Sequence, residues 1–136
     1  MNPGKATIAY CHPGTVAGDF AASLTRLLLH DRETYGRIRG IISMESGPLI
    51  ASARNQMVAR FLEDADEPEW LLMLDADMVF EGDVLDELIS AAEQYTSPVM
   101  GGLCFSGRGG RVSPTMYKIV DRGDKTTPGK IGVVEK

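Results

Sequence analysis

The sequence predicts an α/β fold, a mostly parallel sheet with helices on both faces, and three observations support it. Short apolar, β-leaning runs alternate with segments whose apolar residues recur at three- and four-residue steps. The run Trp70 to Leu74 is unbroken rather than alternating, which suits a central strand covered on both faces. His12, Glu45, Asp75 and Asp77 all fall at or just past the ends of such runs, where parallel sheets bind their ligands.

Ala6 to Tyr10 is the first run, closed by the turn chemistry of His12-Pro13-Gly14. Ala17 to His30 reads as a helix, with Phe20, Leu24, Leu27 and Leu28 on one stripe. Asp31 to Gly36 is polar and ends the pattern. Ile38 to Met44 is the second strand, stopped by Ser46-Gly47-Pro48. Leu49 to Asp64 is the second helix, burying Ile50, Ala53, Met57, Val58, Phe61 and Leu62. An acidic loop, Asp64 to Glu69, leads to the third strand, which ends at Asp75-Ala76-Asp77. Asp83 is placed to cap a helix from Val84 to about Gln94, with Asp86 and Glu87 favourable at its positive end.

Pro98 to Phe105 reads as a fourth strand and Gly107 to Gly110 as a flexible connector. Pro114 to Val120 and Ile131 to Val134 read as short strands around a charged stretch, Asp121 to Gly129. The expected core is residues 6–106 of a single domain spanning 1–136, with 107–136 a loop and short strands opening an acceptor part that the chain lacks. A sheet shortened in this way leaves apolar surface uncovered, so a homo-oligomer is expected.

The 136 residues suffice for one hydrophobic core but not for two. Apolar residues at 43% and charged ones at 24% exclude a disordered or collagen-like chain. A formal charge of −5 speaks against broad nucleic-acid binding, which needs a cationic face. Cys11 and Cys104 stand alone in apolar stretches, without a CxxC pair, and read as buried thiols. The methionines at 57, 73, 78 and 100 read as core filler. No apolar stretch is long enough to span a membrane, and the N-terminus lacks a signal-peptide core.

Asp75 and Asp77 carry the chemistry. Two residues apart on an extended backbone, they would point to one side with backbones roughly 6.5 Å apart. A carboxylate pair at a strand end suits a hard divalent cation, Mn2+ or Mg2+, which shares its remaining positions with water and phosphate oxygens. Such a cation neutralises charge growing on a departing diphosphate. The same pair also reads as solvated loop acids, since a bare DxD is a common triplet.

The segment Trp70-Leu-Leu-Met-Leu-Asp-Ala-Asp-Met-Val-Phe80 resembles the strand and DxD motif of GT-A glycosyltransferases, notably family 2 and its phage relatives. Upstream, Ala53-Arg54-Asn55 resembles the triplet that opens the preceding helix there, and the likeness spans roughly residues 6 to 106. It implies a truncated, Rossmann-like GT-A fold binding a UDP- or GDP-linked sugar for transfer to an acceptor. Asp75 would then lie near ribose and metal, with Asp77 the principal metal ligand and Ala76 between them. Arg54 would lie near base or diphosphate, and Asn55 would fix the local site. His12 and Pro13 occupy the place of the loop around the base, and Glu45 and Ser46 that of an acidic residue reading uracil or ribose. The family's usual Pro-Thr-Tyr-Asn and Asp-Asp-Gly-Ser patterns are absent at these two places. The resemblance implies a phage or bacterial protein working in the cytoplasm, the host's if phage-encoded.

Alternatives remain at this level. Arg54 also reads as a solvated helix residue, and His12 as a plain loop residue. No carboxylate after Asp77 is assignable as the general base of an inverting transfer, so the catalytic residue is unknown and binding without catalysis is one reading. Asp75-Ala-Asp77-Met-Val79 also satisfies the DxDx[TV] pattern of haloacid-dehalogenase-type phosphatases, with Ser106 and Lys118 as stand-ins for later motifs. A third reading is a non-catalytic module that retains the fold.

Overall fold

Small and β-branched apolar residues make the first strand, β1 (Ala6–His12), and it becomes the centre of the sheet. The structure, a computed structural model, describes residues 4–95, 99–102, 104–108 and 110–114. In chain order, α1 (Gly18–Thr34), β2 (Ile38–Glu45), α2 (Ile50–Leu62), β3 (Trp70–Asp75) and α3 (Val84–Tyr95) follow β1. The strands lie in the order β2-β1-β3, and both neighbours run parallel to β1. The α/β class with a parallel sheet is thus as expected from the alternation of runs.

Alternate residues of β1 serve opposite faces. Ala6 and Ile8, fully buried, join Phe20 and Leu27 of α1, Leu72 and Leu74 of β3, and Leu85 and Ile89 of α3 in one cluster. Thr7 and Ala9, equally buried, face the other way, where α2 packs on β1 and buries Ala53 and Met57. The crossovers from β1 to β2 and from β2 to β3 lead in opposite directions across the sheet. Right-handed connections therefore put α1 and α2 on opposite faces.

The strand enclosed on both faces is β1, not β3 as the apolar run suggested. Among the described residues β3 is the edge of the sheet, with Met73 40% exposed. Its run is apolar for a different reason. Leu72 and Leu74 enter the core on one face, and all four residues Leu71 to Leu74 line a groove along the open edge.

The expected fourth strand over Pro98 to Phe105 is not found: residues 99–102 and 104 are not in a strand. Phe105 instead opens β4 (Phe105–Arg108), which pairs antiparallel with β5 (Arg111–Pro114) in a separate two-stranded sheet. Gly101-Gly102 offers no side chains to pack, which weakens a strand there. Gly107 and Arg108, expected in a connector, belong to β4. Arg108 pairs with Arg111, and Gly110, just before Arg111, has φ +77°, a conformation common in tight hairpin links. Of the later expected strands, only Pro114 is described; Lys118, 121–129 and 131–134 lie outside the described residues.

Helix α1 runs four residues past His30, because Arg32 and Glu33 favour helix and Asp31 has work of its own. The buried Asp31 carboxylate accepts the backbone N–H groups of Arg37 (3.1 Å) and Ile38 (2.9 Å), so it fixes the entry into β2. Gly36, left-handed at φ +59°, closes the helix and donates to Asp31 O at 2.6 Å. Arg37 is itself buried, against the Tyr35 ring, and meets Asp86 at 3.0 Å without hydrogen-bond alignment. His30 Nε2 lies 2.7 Å from the other oxygen of Asp86. This cluster ties α1, β2 and α3 together at the amino end of β2. Asp31→Ala leaves one buried and one part-buried donor without their charged acceptor, and a loss of roughly 1.5–3 kcal/mol is expected in urea denaturation.

Candidate functional site

Strand register brings the expected residues to one rim. His12 pairs with Glu45, and Cys11 with Asp75, so the carboxyl ends of all three strands finish level. Asp75 and Glu45 are two strand spacings apart, roughly 10 Å between backbones. The connections that leave β1 and β3 both lead to the face covered by α1 and α3, and the one that leaves β2 leads to α2 on the other face.

The first loop at that rim is the turn after β1. Gly14 N donates to His12 Nδ1 at 3.1 Å, which leaves Nε2 to carry the proton of a neutral imidazole and donate to Ser43 Oγ at 3.1 Å. Ser46 N donates to His12 O at 2.8 Å, which ties the ends of β1 and β2 together. Gly14 has φ +111°, a backbone that side chains rarely adopt, and a Cβ there would lie 3.6 Å from Glu45 Oε1. His12 therefore stands where the sequence placed it, but both ring nitrogens are engaged in holding loops. Pro13 and Glu45 are exposed; Ser46 Oγ donates locally to Gly47 O.

The second loop is the turn after β3. Met78 N donates to Asp75 O at 3.1 Å, so the chain bends at once. Asp77 lies inside this turn, not on an extension of the strand, and the side-to-side alternation expected for Asp75 and Asp77 does not apply. Asp77 is exposed, and among the described residues no hydrogen bond or ion pair engages its carboxylate. Met78 is not filler in the core: its sulfur sits 3.5 Å from Asp75 N. Met57 is buried as expected, and Met73 and Met100 line the groove. Cys11 and Cys104 are half-buried rather than enclosed.

The turn is pinned to α1 at several points. Ala17 N donates to Ala76 O (3.1 Å), and Phe80 N donates to Ser23 Oγ (3.1 Å). Gly82 packs so closely that an added Cβ would stand 3.1 Å from Arg26 O. Ser23 escaped the sequence reading, although a serine three residues after Phe20 and four before Leu27, on the buried stripe, was a legible signal. It is fully buried and also accepts from Arg26 Nη2 at 3.2 Å. Ser23→Ala strands the Phe80 N–H, for an expected cost of about 1–3 kcal/mol by chemical denaturation.

Arg54 and Asp75 meet directly. Arg54 Nη2 donates to Asp75 Oδ1 at 2.7 Å, joining α2 to the end of β3, with both side chains about half exposed. Exposed pairs of this kind contribute about 0.2–1 kcal/mol, so the contact positions charge more than it holds the fold. Asn55, next on the helix, is exposed and makes no recorded bond to either. From Arg54 and Asp75 a groove of about 730 Å³ runs along the open edge of β3, floored by Phe61, Leu71, Met73 and Leu88. Asp77, His12, Pro13, Glu45 and Ser46 lie outside it.

Among the described residues no group of three or more His, Cys, Asp or Glu side chains could hold a metal together. Asp75 and Asp77 thus supply at most a two-carboxylate donor set, the kind that suits Mg2+ or Mn2+ only when water and phosphate oxygens complete the shell. Asp75 Oδ1 is already engaged by the Arg54 guanidinium. Ser106, in β4, belongs to the separate hairpin. No helix among the described residues is long and apolar enough to cross a membrane. In comparisons with protein-family models, curated proteins and solved structures, no family, no protein and no structure matches the chain.

Proposed function

We propose that the chain binds a nucleoside-diphosphate sugar, UDP- or GDP-linked, together with Mn2+ or Mg2+, as the donor-binding part of a metal-dependent glycosyltransferase. The observation that carries this reading is the Arg54–Asp75 contact of 2.7 Å at the carboxyl rim of a parallel sheet. A cation-accepting oxygen and a guanidinium side by side suit a metal diphosphate, one partner for each charge. The general position is where open parallel sheets take phosphorylated ligands.

Asp75 and Asp77 would hold the cation, and Arg54 a diphosphate oxygen. The rim continues through His12 and Pro13 after β1, next to β3, to Glu45 and Ser46 after β2, with Glu45 roughly 10 Å across from Asp75, the width a ribose and base require. When bound, the cation stabilises negative charge on the departing diphosphate. The protein's own share is to fix that position: the turn of Ala76 and Asp77 is held by Ala17, and its continuation at Phe80 by Ser23. No described carboxylate is assigned as general base, so transfer to an acceptor stands apart from binding.

Isothermal calorimetry with UDP and GDP, each with and without Mn2+, tests the proposal. Binding of at least one nucleotide that depends on Mn2+ is expected. If neither binds in a metal-dependent way, the donor-site reading is wrong.

A further inference from the structure

We propose that Arg54 is an exchangeable counter-ion for Asp75, a latch that makes cation and diphosphate binding depend on each other. The proposal rests on the donor-site reading above and adds its regulation. The guanidinium takes the Asp75 Oδ1 at 2.7 Å, while among the described residues no hydrogen bond or ion pair engages the Asp77 carboxylate. A divalent ion arriving alone must displace Arg54 and then sit beside its charge. A diphosphate arriving alone meets a guanidinium already paired and two carboxylates that repel it.

Arriving together, the two ligands remove each other's obstacle. The cation takes the carboxylates, the diphosphate takes the guanidinium, and no like charges are left facing one another. Arg54 can make this exchange because it is 48% exposed and anchored by the helix rather than by its head group, with Ala53 and Met57 buried on the face below. The exposed pair is also weak enough to be displaced. Its contribution corresponds to on the order of a two- to five-fold change in affinity. By linkage, each ligand raises the affinity of the other by one and the same factor.

The test is titration of the full chain with Mn2+ alone, following free Mn2+ by electron paramagnetic resonance, and again with UDP or GDP present. Wild-type protein, Arg54→Gln and Arg54→Lys are compared, with circular dichroism to confirm that each is folded. Arg54→Gln should bind Mn2+ alone about two- to five-fold more tightly than wild type. It should also bind the nucleotide less tightly, so the ratio of Mn2+ affinities with and without nucleotide shrinks. Arg54→Lys, which keeps a cation within reach, should stay near wild type in the Mn2+-only titration. Unchanged or weaker binding of Mn2+ alone by Arg54→Gln overturns the latch, even if nucleotide binding in the wild type remains metal-dependent. Absence of metal-dependent nucleotide binding in the wild type is a different result, and it overturns the donor-site reading itself.

Discussion

Asp77→Ala is expected to weaken Mn2+-dependent nucleotide binding by at least about 100-fold, beyond the 10–100-fold typical of losing an outer partner of a metal ligand. Removing Asp77 leaves Asp75 as the one carboxylate of the pair for the cation, and Asp75 is already engaged by Arg54. The same substitution should leave stability nearly untouched, within about 0.5 kcal/mol, because Asp77 is exposed in a turn and its carboxylate makes no recorded contact. Asp75→Asn makes the contrast. It removes the charge that Arg54 pairs with, so it should abolish metal dependence and also free the guanidinium. Nucleotide binding without metal should then survive better in Asp75→Asn than in Arg54→Gln. Calorimetry on the three variants, beside urea denaturation, separates these outcomes. If Asp77→Ala binds nucleotide and Mn2+ like the wild type, the carboxylate pair is not the cation site, and the acids are solvated loop residues.

The rim was legible from sequence because strand ends are marked by abrupt changes of residue type. Five apolar residues stopping at Asp75 and a β-leaning run stopping at His12-Pro13 locate two loops without any knowledge of pairing. Parallel register then brings Cys11 beside Asp75 and His12 beside Glu45, as the rule for such sheets requires. Sheet order was not legible in the same way. Trp70 to Leu74 is an unbroken apolar run and Ala6 to Tyr10 a β-leaning one that includes Thr7, and a run shows how much surface is covered, not by which neighbour. β1 turned out to be the central strand and β3 the edge.

Local detail failed where a side chain serves a distant segment. Asp31 looked like a helix breaker because its partners, the N–H groups of Arg37 and Ile38, follow a turn that cannot be read from composition. Asp77 looked like a strand residue because alternation assumes the strand continues, and the bend at Met78 ends it two residues early. The Arg54–Asp75 contact spans 21 residues and two elements. Its members were each singled out, but their meeting depends on how α2 lies over β3. The hairpin at 105–114 was overlooked although Gly109-Gly110 between short runs is a recognisable two-residue link.

The largest effect on stability is expected from Phe20→Ala, a loss of about 3–5 kcal/mol. Phe20 is fully buried at the centre of the larger cluster, with its ring edge-on to Tyr10 at 5.1 Å and to Phe80 at 6.1 Å. Truncation leaves a cavity between α1, β1 and the segment after β3, three pieces that cannot all close on it. Domains of this size have stabilities of about 5–15 kcal/mol, so the variant should be close to unfolding. In urea, with a slope of about 1–3 kcal/mol per molar, the midpoint should fall by one molar or more. The position of Phe20 also couples the core to the rim: Tyr10 comes two residues before His12, and Phe80 three residues after Asp77. Loosening both flanks should therefore reduce Mn2+-dependent nucleotide affinity even where the variant is still folded, while Leu27→Ala, equally buried but farther along α1, should lower stability with less effect on binding. Equal losses of affinity in the two variants at matched folded fraction would show that the core supports the rim only by keeping the chain folded. A Phe20→Ala midpoint unchanged from wild type would remove Phe20 from the core altogether.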